Sequence, residues 1–401
     1  MKIVEIEDFF HPNAGYQINI LSKYFVKHGH EVTIVTASAD RMPPQLAAFF
    51  GVDNIEAYDR EYTRTTGVQI IRLPIYGFVS NRAIFTPELR RTVDGLQPDI
   101  LFAHDNDTAS AMQFIARLGH LPYAFVTDSH MLAMASVNRF NKLFHGFYRR
   151  VLAPRLIRYQ IPVIRTQDDP YVEQVLGVPL QQAPWISFGS DTLLFHPDAD
   201  ARQKFRREHQ IPDDAFVLLY AGKLDESKGG RLLAEALQQP LPARRPVVCL
   251  VVGNTAGDAY GREVEALLKA SQNRILRFPT QRYMDLAPFY QAADLAVFPK
   301  QCSLSFYDAQ ACGLPVLSED NNINVDRNAH GNGLCFASGS VEDFRQKLQQ
   351  MLDLPPEDYR RMSRQACDFI KQEYDYEQKA REYEQILQAS LDAYRAGKQR
   401  R

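Results

Sequence analysis

The sequence is poor in the features that define secreted, metal-stapled and membrane-spanning proteins. Its 401 residues include only five cysteines, none in CxxC spacing, which argues against a disulfide framework or a structural zinc site. No apolar run reaches the roughly 18–20 residues that a membrane span needs. The opening residues MKIVEIEDFF fit a first β-strand and lack the apolar core of a signal peptide. A cytoplasmic protein is therefore predicted.

An excess of charge of either sign is also missing. The formal net charge is -2, so no global basic excess draws the chain to nucleic acid, and no nucleic-acid partner is expected. Any anion site must be local. With 45% hydrophobic residues, the chain can build about two domains on the usual scale of roughly 100–200 residues each.

Short apolar runs alternate with longer amphipathic segments twice along the chain. The first series comprises Ile3–Ile6, Gln17–His28, Glu31–Thr36, Ile100–Ala103, Thr108–Leu118 and Ala124–Val126. The second comprises Phe216–Tyr220, Val247–Val252, Gly261–Ser271, Ile275–Phe278, Leu295–Phe298 and Val316–Leu317. This βαβ pattern predicts an α/β fold of two Rossmann-like, doubly wound domains. Their strand ends can line one cleft, because ligands bind at the carboxyl ends of such strands.

The domain limits follow from the breaks in this pattern. We expect an N-terminal domain over residues 1–195, a second domain over 196–375 and a C-terminal helix with a basic tail over 376–401. The Asp- and Pro-containing stretch Ser190–Ala201 is the candidate linker. After Pro355–Pro356 the pattern becomes a long charged amphipathic helix to about Tyr394, followed by a basic tail ending at Arg401.

One turn of the second domain and one of the first are candidates for phosphate binding. Gly222, Lys223 and Lys228 lie between a strand and a helix, where ammonium groups can neutralise a departing diphosphate; the alternative is solvated surface lysines. Gly15 lies between the first strand and the first helix, where it could admit a diphosphate or form an ordinary tight turn.

The segment from Phe298 to Val316 carries the most information. Ser303, Leu304 and Ser305 stand where a helix would begin. Their amides and the two serine hydroxyls could bind phosphate, or the serines could simply cap the helix. Asp308 lies near the start of that helix, where its carboxylate could accept both hydroxyls of a ribose. The alternative is a solvated Asp.

Three strings, AGKLDESKGG, YDAQACGLPV and SFGSDTLLFHPD, together resemble the motifs of glycosyltransferase family four, the retaining group 1 enzymes. The resemblance runs from HPNAG through GHEVTIVT to NGLCF and so covers nearly the whole chain. It implies the GT-B fold, an acceptor-binding first domain, a nucleotide-sugar-binding second domain, no metal or other cofactor, and retention of anomeric configuration. It points to Gly15, Lys223, Lys228, Ser303, Ser305 and Asp308 as donor-binding residues.

The chain departs from the family pattern at two places. Lys223 stands where the family has Arg, which keeps the charge but gives up bidentate geometry. The family also carries an acid ahead of the helix that touches the donor sugar, whereas no acid occurs between Pro299 and Tyr307 here. The pattern that recognises the donor sugar is therefore altered.

Acidic residues and a histidine end two strands of the first domain. His130 follows Asp128 at a strand end where the family often places an active-site His, so both residues are catalytic candidates with Lys223 and Lys228. A structural His is the alternative. Asp105 and Asp107 form a DxD string of the kind that holds metal in another glycosyltransferase fold. We interpret it as a strand end followed by a helix N-cap.

Aromatic and basic residues share helical spacing from Arg139 to Arg158, with Phe144, Phe147, Arg149 and Arg150 among them. This segment could rest on an anionic membrane and meet a lipid-linked acceptor. It could equally be a core-packed helix with a basic polar face.

The expected activity is transfer of a sugar from a nucleotide diphosphate sugar, with UDP favoured, to an acceptor hydroxyl. The acceptor would be a glycan, a lipid-linked molecule or a small molecule, as in polysaccharide biosynthesis, at a cytoplasmic location with peripheral membrane contact. The alternatives are a nucleotide-sugar epimerase, a phosphorylase of the same fold or a catalytically silent nucleotide-binding subunit.

Overall fold

The computed structural model describes residues 1–43, 53–131 and 141–399. The chain forms two compact units, of which one contains Met1–Phe188 and the residues from Tyr376 onward, and the other contains Gly189–Asp375. Each unit is built on a six-stranded parallel sheet. The two parallel α/β domains expected from the sequence are therefore present.

The first unit contains eight strands and seven helices within its described residues. The strands are β1 (Lys2–Ile6), β2 (Glu31–Ala37), β3 (Gln69–Leu73), β4 (Ile75–Val79), β5 (Arg82–Phe85), β6 (Ile100–Ala103), β7 (Ala124–Ser129) and β8 (Val163–Arg165). The helices of its N-terminal part are α1 (Gln17–Lys27), α2 (Ile55–Thr66), α3 (Glu88–Leu96), α4 (Ala109–Ile115), α5 (Asn141–Phe147) and α6 (Ala153–Arg158). Short helical turns occur at Ala39–Arg41, Leu118–His120, Tyr148–Leu152, Tyr171–Val175 and Leu180–Gln182.

The strand order of this sheet is β3-β2-β1-β6-β7-β8, and β4 pairs separately with β5 as an antiparallel hairpin. Ile3 on β1 lies opposite Val32 on one side and Ile100 on the other. The order reverses between β1 and β6, which is where ligands bind in doubly wound sheets.

The second unit repeats this topology in the order β11-β10-β9-β12-β13-β14. Its strands are β9 (Phe216–Ala221), β10 (Val247–Val252), β11 (Arg274–Phe278), β12 (Leu295–Phe298), β13 (Val316–Glu319) and β14 (Gly333–Phe336). Its helices are α7 (Ala199–Glu208), α8 (Gly230–Ala236), α9 (Ala259–Lys269), α10 (Ala287–Ala292), α11 (Ser305–Ala311), α12 (Asn322–Arg327), α13 (Val341–Leu352) and α14 (Pro356–Glu373), with short turns at Glu226–Lys228 and Tyr283–Asp285. Here the order reverses between β9 and β12.

The central strands are apolar because helices cover both faces of each sheet. In β10, the sequence VVCLVV is buried at five of its six positions, and β2 is buried from Val32 to Ala37. Parallel strands of this kind have near-continuous apolar sequences rather than alternating ones. Within the described residues, no helix combines the length and apolarity required to cross a bilayer.

The C-terminal part of the chain contains two helices where the sequence predicts one. Helix α14 ends at Glu373, and α15 (Tyr376–Gln399) begins after Tyr374 and Asp375. At this break, the Tyr374 carbonyl accepts a hydrogen bond from the Ser190 amide at 2.8 Å. The break lets the chain return from the second unit to the first.

Helix α15 packs on the first unit through its buried face. Gln17 Nε2 donates to the hydroxyl of Tyr383 at 2.6 Å, and the Tyr383 ring packs against Phe102. Tyr394 donates its hydroxyl proton to the Leu121 carbonyl at 3.0 Å. The end of the basic tail, Arg400 and Arg401, lies outside the described residues.

Candidate active site

Most of the predicted site residues follow strands at which the two sheets reverse order. The others lie at the end of β7, which is next to β6 in the first sheet. In the first unit, Gly15 follows β1, Asp128 lies near the end of β7 and His130 directly follows it. In the second unit, Gly222, Lys223 and Lys228 follow β9, while Ser303, Leu304, Ser305 and Asp308 follow β12. Each unit therefore has one cluster of candidates at the carboxyl edge of its sheet.

The β9 turn in the second unit presents its lysines on a fixed backbone. The Gly222 amide continues the sheet by donating to the Val252 carbonyl at 3.0 Å. Further along, the Asp225 carboxylate accepts a hydrogen bond from the Lys228 amide at 3.0 Å and caps the short turn before α8. Lys223, which precedes this turn, is exposed, and Lys228, its last residue, is half-buried.

A lysine joins this turn to the loop that follows β12. Lys228 Nζ donates to the Cys302 carbonyl at 3.2 Å, and Lys300 Nζ donates back to the Glu226 carbonyl at 3.1 Å. Gly229 makes the approach feasible: its φ is +71°, and a Cβ there would lie 3.0 Å from the Lys300 Cβ. Burial lowers the pKa of the Lys228 ammonium.

The loop from Pro299 to Leu304 is held by residues that the sequence did not single out. The Gln301 amide donates to Glu319 Oε2 at 3.0 Å, and Arg327 donates to the Ser303 carbonyl at 3.1 Å and to the Tyr307 hydroxyl at 3.0 Å. Glu319 and Arg327 are both buried. Neither belongs to a recognisable motif, and the only sequence signal for Glu319 is its position as the last residue of β13.

The start of α11 leaves backbone donors available. Leu304 is the N-cap and its side chain makes no capping bond, while the Ser305 amide donates to Ser303 Oγ at 3.3 Å. Among the described residues, nothing accepts a hydrogen bond from the Ser303 and Leu304 amides. Amides in this position, beside the ammonium of Lys228, can bind the oxygens of a phosphate.

Asp308 lies beneath this loop as a buried acid. Its Oδ1 accepts hydrogen bonds from the Ser190 hydroxyl at 2.7 Å and from the Tyr283 hydroxyl at 3.4 Å. Its second oxygen has no donor among the described residues. Burial raises the pKa of Asp308 to about 7, although the Ser190 hydrogen bond opposes this. One carboxylate oxygen therefore remains available to a ligand hydroxyl.

In the first unit, Asp128 joins two histidines into a buried network. Its Oδ2 lies 2.8 Å from His104 Nδ1 and 3.4 Å from His130 Nε2, and its Oδ1 accepts the Asp105 amide at 2.7 Å. His104 Nε2 lies 3.3 Å from Glu5 Oε1. Asp128 and His104 are buried, whereas the His130 side chain is 26% exposed, so His130 is the member of the network that a ligand can reach.

The network fixes the charges of its members. Burial alone would lower the pKa of His130, but the Asp128 and Asp105 carboxylates outweigh it and raise the pKa to about 9. Burial works against ionisation of Asp128 as well, yet His130 and His104 hold its pKa well below the ordinary value. His130 is therefore a cation at neutral pH, positioned on the ring of Phe188 at a centroid distance of 5.7 Å.

Glu7, directly after β1, is a neighbour of His130 that the sequence reasoning did not single out. Burial raises the pKa of its carboxyl to about 7, with His104 opposing the rise and Asp105 adding to it. No described residue donates a hydrogen bond to this carboxylate. Its charge also acts on Tyr16, the residue after Gly15. The sequence signal that could have identified Glu7 is its position directly after β1.

The DxD string has a structural partner. Arg82 donates to Asp105 Oδ2 at 2.6 Å and to Asp107 Oδ1 at 3.0 Å. The helix N-cap expected within this string is instead the next residue, Thr108, whose hydroxyl accepts the Ala111 amide. The two acids thus neutralise a guanidinium from the β4–β5 hairpin, a long-range partner that the local sequence does not reveal.

His104, Asp128 and His130 also offer one ligand atom each within 4.8 Å of one another, which is close enough to hold a metal ion. These ligand atoms already pair with one another, since Asp128 Oδ2 is hydrogen-bonded to His104 Nδ1 and forms a charge pair with His130 Nε2. The second nitrogen of His130, Nδ1, lies 2.9 Å from Thr166 Oγ1. The observed bonds describe a hydrogen-bonded charge network. The absence of a catalytic metal remains a prediction.

Comparison with known families gives two matches that together span most of the chain. Residues 14–159 match the glycosyl transferase 4-like domain, and residues 201–368 match the model described as glycosyl transferases group 1. A D-inositol 3-phosphate glycosyltransferase of Xylanimonas cellulosilytica is 32% identical over 155 residues, which are 36% of this chain and 36% of that protein. A second such enzyme, from Catenulispora acidiphila, is 32% identical over 164 residues, or 38% of each chain.

Solved structures share the fold along nearly the full length. A glycosyltransferase from Rickettsia africae superposes with a TM-score of 0.73 at 15% identity, covering 97% of this chain and 98% of that one. The Anabaena protein HepE, in complex with UDP and glucose, superposes with a TM-score of 0.71 at 16% identity, covering 97% and 100%. The GT-B fold class predicted from the sequence is confirmed.

Proposed function

Since the chain belongs to the group 1 glycosyltransferases, we propose that it moves a sugar from a nucleotide diphosphate sugar to an acceptor hydroxyl with retention of anomeric configuration. UDP is the favoured nucleotide. This choice is supported by the structural neighbour HepE, which was crystallised with UDP-glucose. Several sequence relatives are D-inositol 3-phosphate glycosyltransferases, which supports sugar transfer. The acceptor is a glycan, a lipid-linked molecule or a small molecule, met at a cytoplasmic location.

The contact that carries the proposal is the hydrogen bond from Lys228 Nζ to the Cys302 carbonyl at 3.2 Å. It brings the lysine turn after β9 next to the free amides of Ser303 and Leu304. A diphosphate held there meets two ammonium groups and two backbone donors. These groups stabilise the negative charge that develops as the sugar leaves, so the step needs no protein nucleophile.

Within the first unit, His130 is the cation that a sugar ligand can reach. Asp128 keeps this imidazole charged and oriented. Glu7, with a carboxyl whose pKa lies near neutrality, is suited to accept a hydrogen bond from the acceptor hydroxyl. The acceptor proton then leaves with the departing diphosphate, and no other base is required.

The activity is tested by incubating the full chain with UDP-glucose and other nucleotide sugars, with and without a panel of acceptor sugars. Transfer predicts UDP release that depends on an acceptor, and a product whose anomeric proton retains the donor configuration by NMR. Interconversion of the nucleotide sugar without an acceptor would indicate an epimerase instead. Phosphate-dependent release would indicate a phosphorylase, and binding without turnover a silent subunit.

Replacing Asp308 by asparagine is expected to weaken UDP binding by roughly 1.5–3 kcal/mol, because the ribose hydroxyls lose a charged acceptor. The raised pKa adds a signature. The carboxyl is protonated below about 7, so wild-type affinity rises as the pH increases through that value, and the asparagine variant lacks this part of the rise. Calorimetric titration with UDP measures both effects.

The matched control is Asp214→Asn, which removes an exposed carboxylate and should leave UDP affinity unchanged. Equal affinity of the Asp308 variant and wild type at every pH would remove Asp308 from the nucleotide site.

Removing divalent cations is expected to leave turnover intact. The lysines and amides of the second unit supply the charge stabilisation that a metal would otherwise provide, and Asp105 and Asp107 are engaged by Arg82. Initial rates with and without EDTA measure this. A rate that collapses in EDTA and returns with Mg²⁺ or Mn²⁺ would restore the metal interpretation of the DxD string.

A further inference from the structure

The basic aromatic segment predicted from the sequence forms α5, a helical turn and α6; its first residues, Arg139 and Phe140, lie outside the described part of the chain. Tyr148, Leu152 and Leu156 are buried at intervals of four residues. Side chains so spaced lie on one helix face. The core-packing interpretation therefore accounts for this inner face.

A second apolar stripe faces outward on the same segment. Leu143, Phe147 and Val151 are again spaced by four residues, with exposed fractions of 80%, 49% and 44%. Core packing alone does not require apolar residues at these exposed positions. Contiguous exposed apolar surface of this kind marks an interaction site.

The charge around this stripe has one sign. Lys142, Arg149, Arg150 and Arg158 are exposed, and no acidic residue occurs from Asn141 to Arg158. An apolar stripe flanked by cations complements a surface that is negatively charged outside and apolar within. An anionic lipid bilayer has that structure.

The β4–β5 hairpin carries a second exposed apolar group. Tyr76 is 71% exposed and Val79 is 67% exposed, next to a tight turn at Ser80 and Asn81, where both φ angles are positive. The hairpin is anchored through β5, since Ala83 is buried and its amide donates to Asp8 Oδ2 at 2.9 Å. No acid occurs between residues 62 and 87.

A chain of contacts connects the hairpin to α5 past the candidate catalytic network. Arg82 of the hairpin binds Asp107, which also accepts the Tyr171 hydroxyl at 3.0 Å. The Tyr171 ring meets the His145 ring of α5 edge to face, with centroids 6.1 Å apart. Arg82 also binds Asp105, which accepts the His130 amide at 3.1 Å.

We propose that the hairpin tip and the outer stripe of α5 form two contacts of one docking surface for an anionic lipid bilayer. The inference rests on the proposed function and deepens it. Asp105 and His130, which belong to the candidate catalytic network, are bonded to the chain of contacts that joins the hairpin to α5. A hydroxyl of a membrane-held acceptor is then presented to the first unit, while the nucleotide sugar arrives from solution.

The test is sedimentation of the full chain with vesicles of two parts phosphatidylcholine to one part phosphatidylglycerol. Wild type is expected to sediment at low ionic strength and to be released in part by salt. We expect the hairpin variant Tyr76→Ser/Val79→Ser and the helix variant Leu143→Ser/Phe147→Ser each to bind at least roughly tenfold more weakly. Each variant removes two apolar side chains that would otherwise be buried in the bilayer. The charge variant Arg149→Ser/Arg150→Ser should lose most of the vesicle binding that is sensitive to salt.

Two controls separate docking from folding. Arg90→Ser/Arg91→Ser removes an adjacent pair of exposed arginines on α3, and Leu180→Ser removes an exposed apolar side chain of the same unit; both should sediment like wild type. UDP affinity and melting temperature should be unchanged in every variant, so failure of the membrane contact is distinct from failure of the proposed activity. A wild type that stays in solution, a hairpin variant that binds like wild type, or equal binding to pure phosphatidylcholine would overturn the proposal. So would a concentration-dependent dimer that the hairpin variant disperses.

Discussion

Replacing Lys228 by alanine lowers kcat for sugar transfer by about 10²–10³-fold, the cost of removing one preorganised donor from a site where negative charge develops. The ammonium lies beside the loop of Ser303, held by its hydrogen bond to the Cys302 carbonyl. It acts on the leaving diphosphate more strongly than on the bound donor, because the charge grows as the sugar departs. The loss should therefore appear in kcat rather than only in KM.

Initial rates of UDP release in the presence of acceptor measure this effect. Lys269→Ala, an exposed lysine at the end of α9, is the matched control and should retain the wild-type rate. A Lys228 variant with unchanged kcat would exclude this lysine from leaving-group stabilisation, provided its melting temperature equals that of wild type.

Replacing Asp128 by asparagine destabilises the first unit by roughly 3–5 kcal/mol, because the substitution leaves buried cationic imidazoles without their carboxylate. The same change predicts a pH signature. The folded pKa of His130, about 9, lies above its ordinary value of 6.5, so its contribution to stability is complete below about 6.5 and is lost as the pH rises through 9. The asparagine variant should lack this decline.

Urea unfolding of both proteins at several pH values between these limits measures the difference, with the two units fitted as separate transitions. Asp40→Asn removes an exposed carboxylate of the same unit and should leave both stability and its pH dependence unchanged. A stable Asp128 variant with the wild-type pH profile would show that the Asp128 carboxylate does not stabilise the charged histidines of the network.

Elements marked by local periodicity could be predicted from the sequence. The β9 and β12 runs, with the glycine-rich turn after β9, predicted that Lys228 and Ser303 follow strand ends, and β9 and β12 are neighbours in the parallel sheet. Partners far apart in the chain left no local signal. Arg82 engages Asp105 and Asp107 from a hairpin more than twenty residues away, and Arg327 holds Ser303 from α12.

The domain limit between residues 375 and 376 was predicted, but the amphipathic pattern did not reveal the break between α14 and α15 at that place. The sequence there remains charged and amphipathic on both sides, and the hydrogen bond found at the break joins Tyr374 to Ser190, a residue far away in the chain. The sequence of the basic aromatic segment allowed both membrane contact and core packing. Helical periodicity indicates which face of a helix is buried, but it does not indicate what the opposite face contacts. Only the exposures of Leu143 and Phe147 distinguish an inner from an outer stripe.

The central claim is that the second unit binds the diphosphate of a nucleotide through Lys228 and the amides of Ser303 and Leu304. Calorimetric titration of the full chain, in EDTA, with uridine, UMP and UDP tests it most directly. The account predicts that affinity increases with each phosphate and that Lys228→Ala removes most of the gain from UMP to UDP. Equal affinities for uridine and UDP, or no binding of UDP, GDP or ADP, would contradict it.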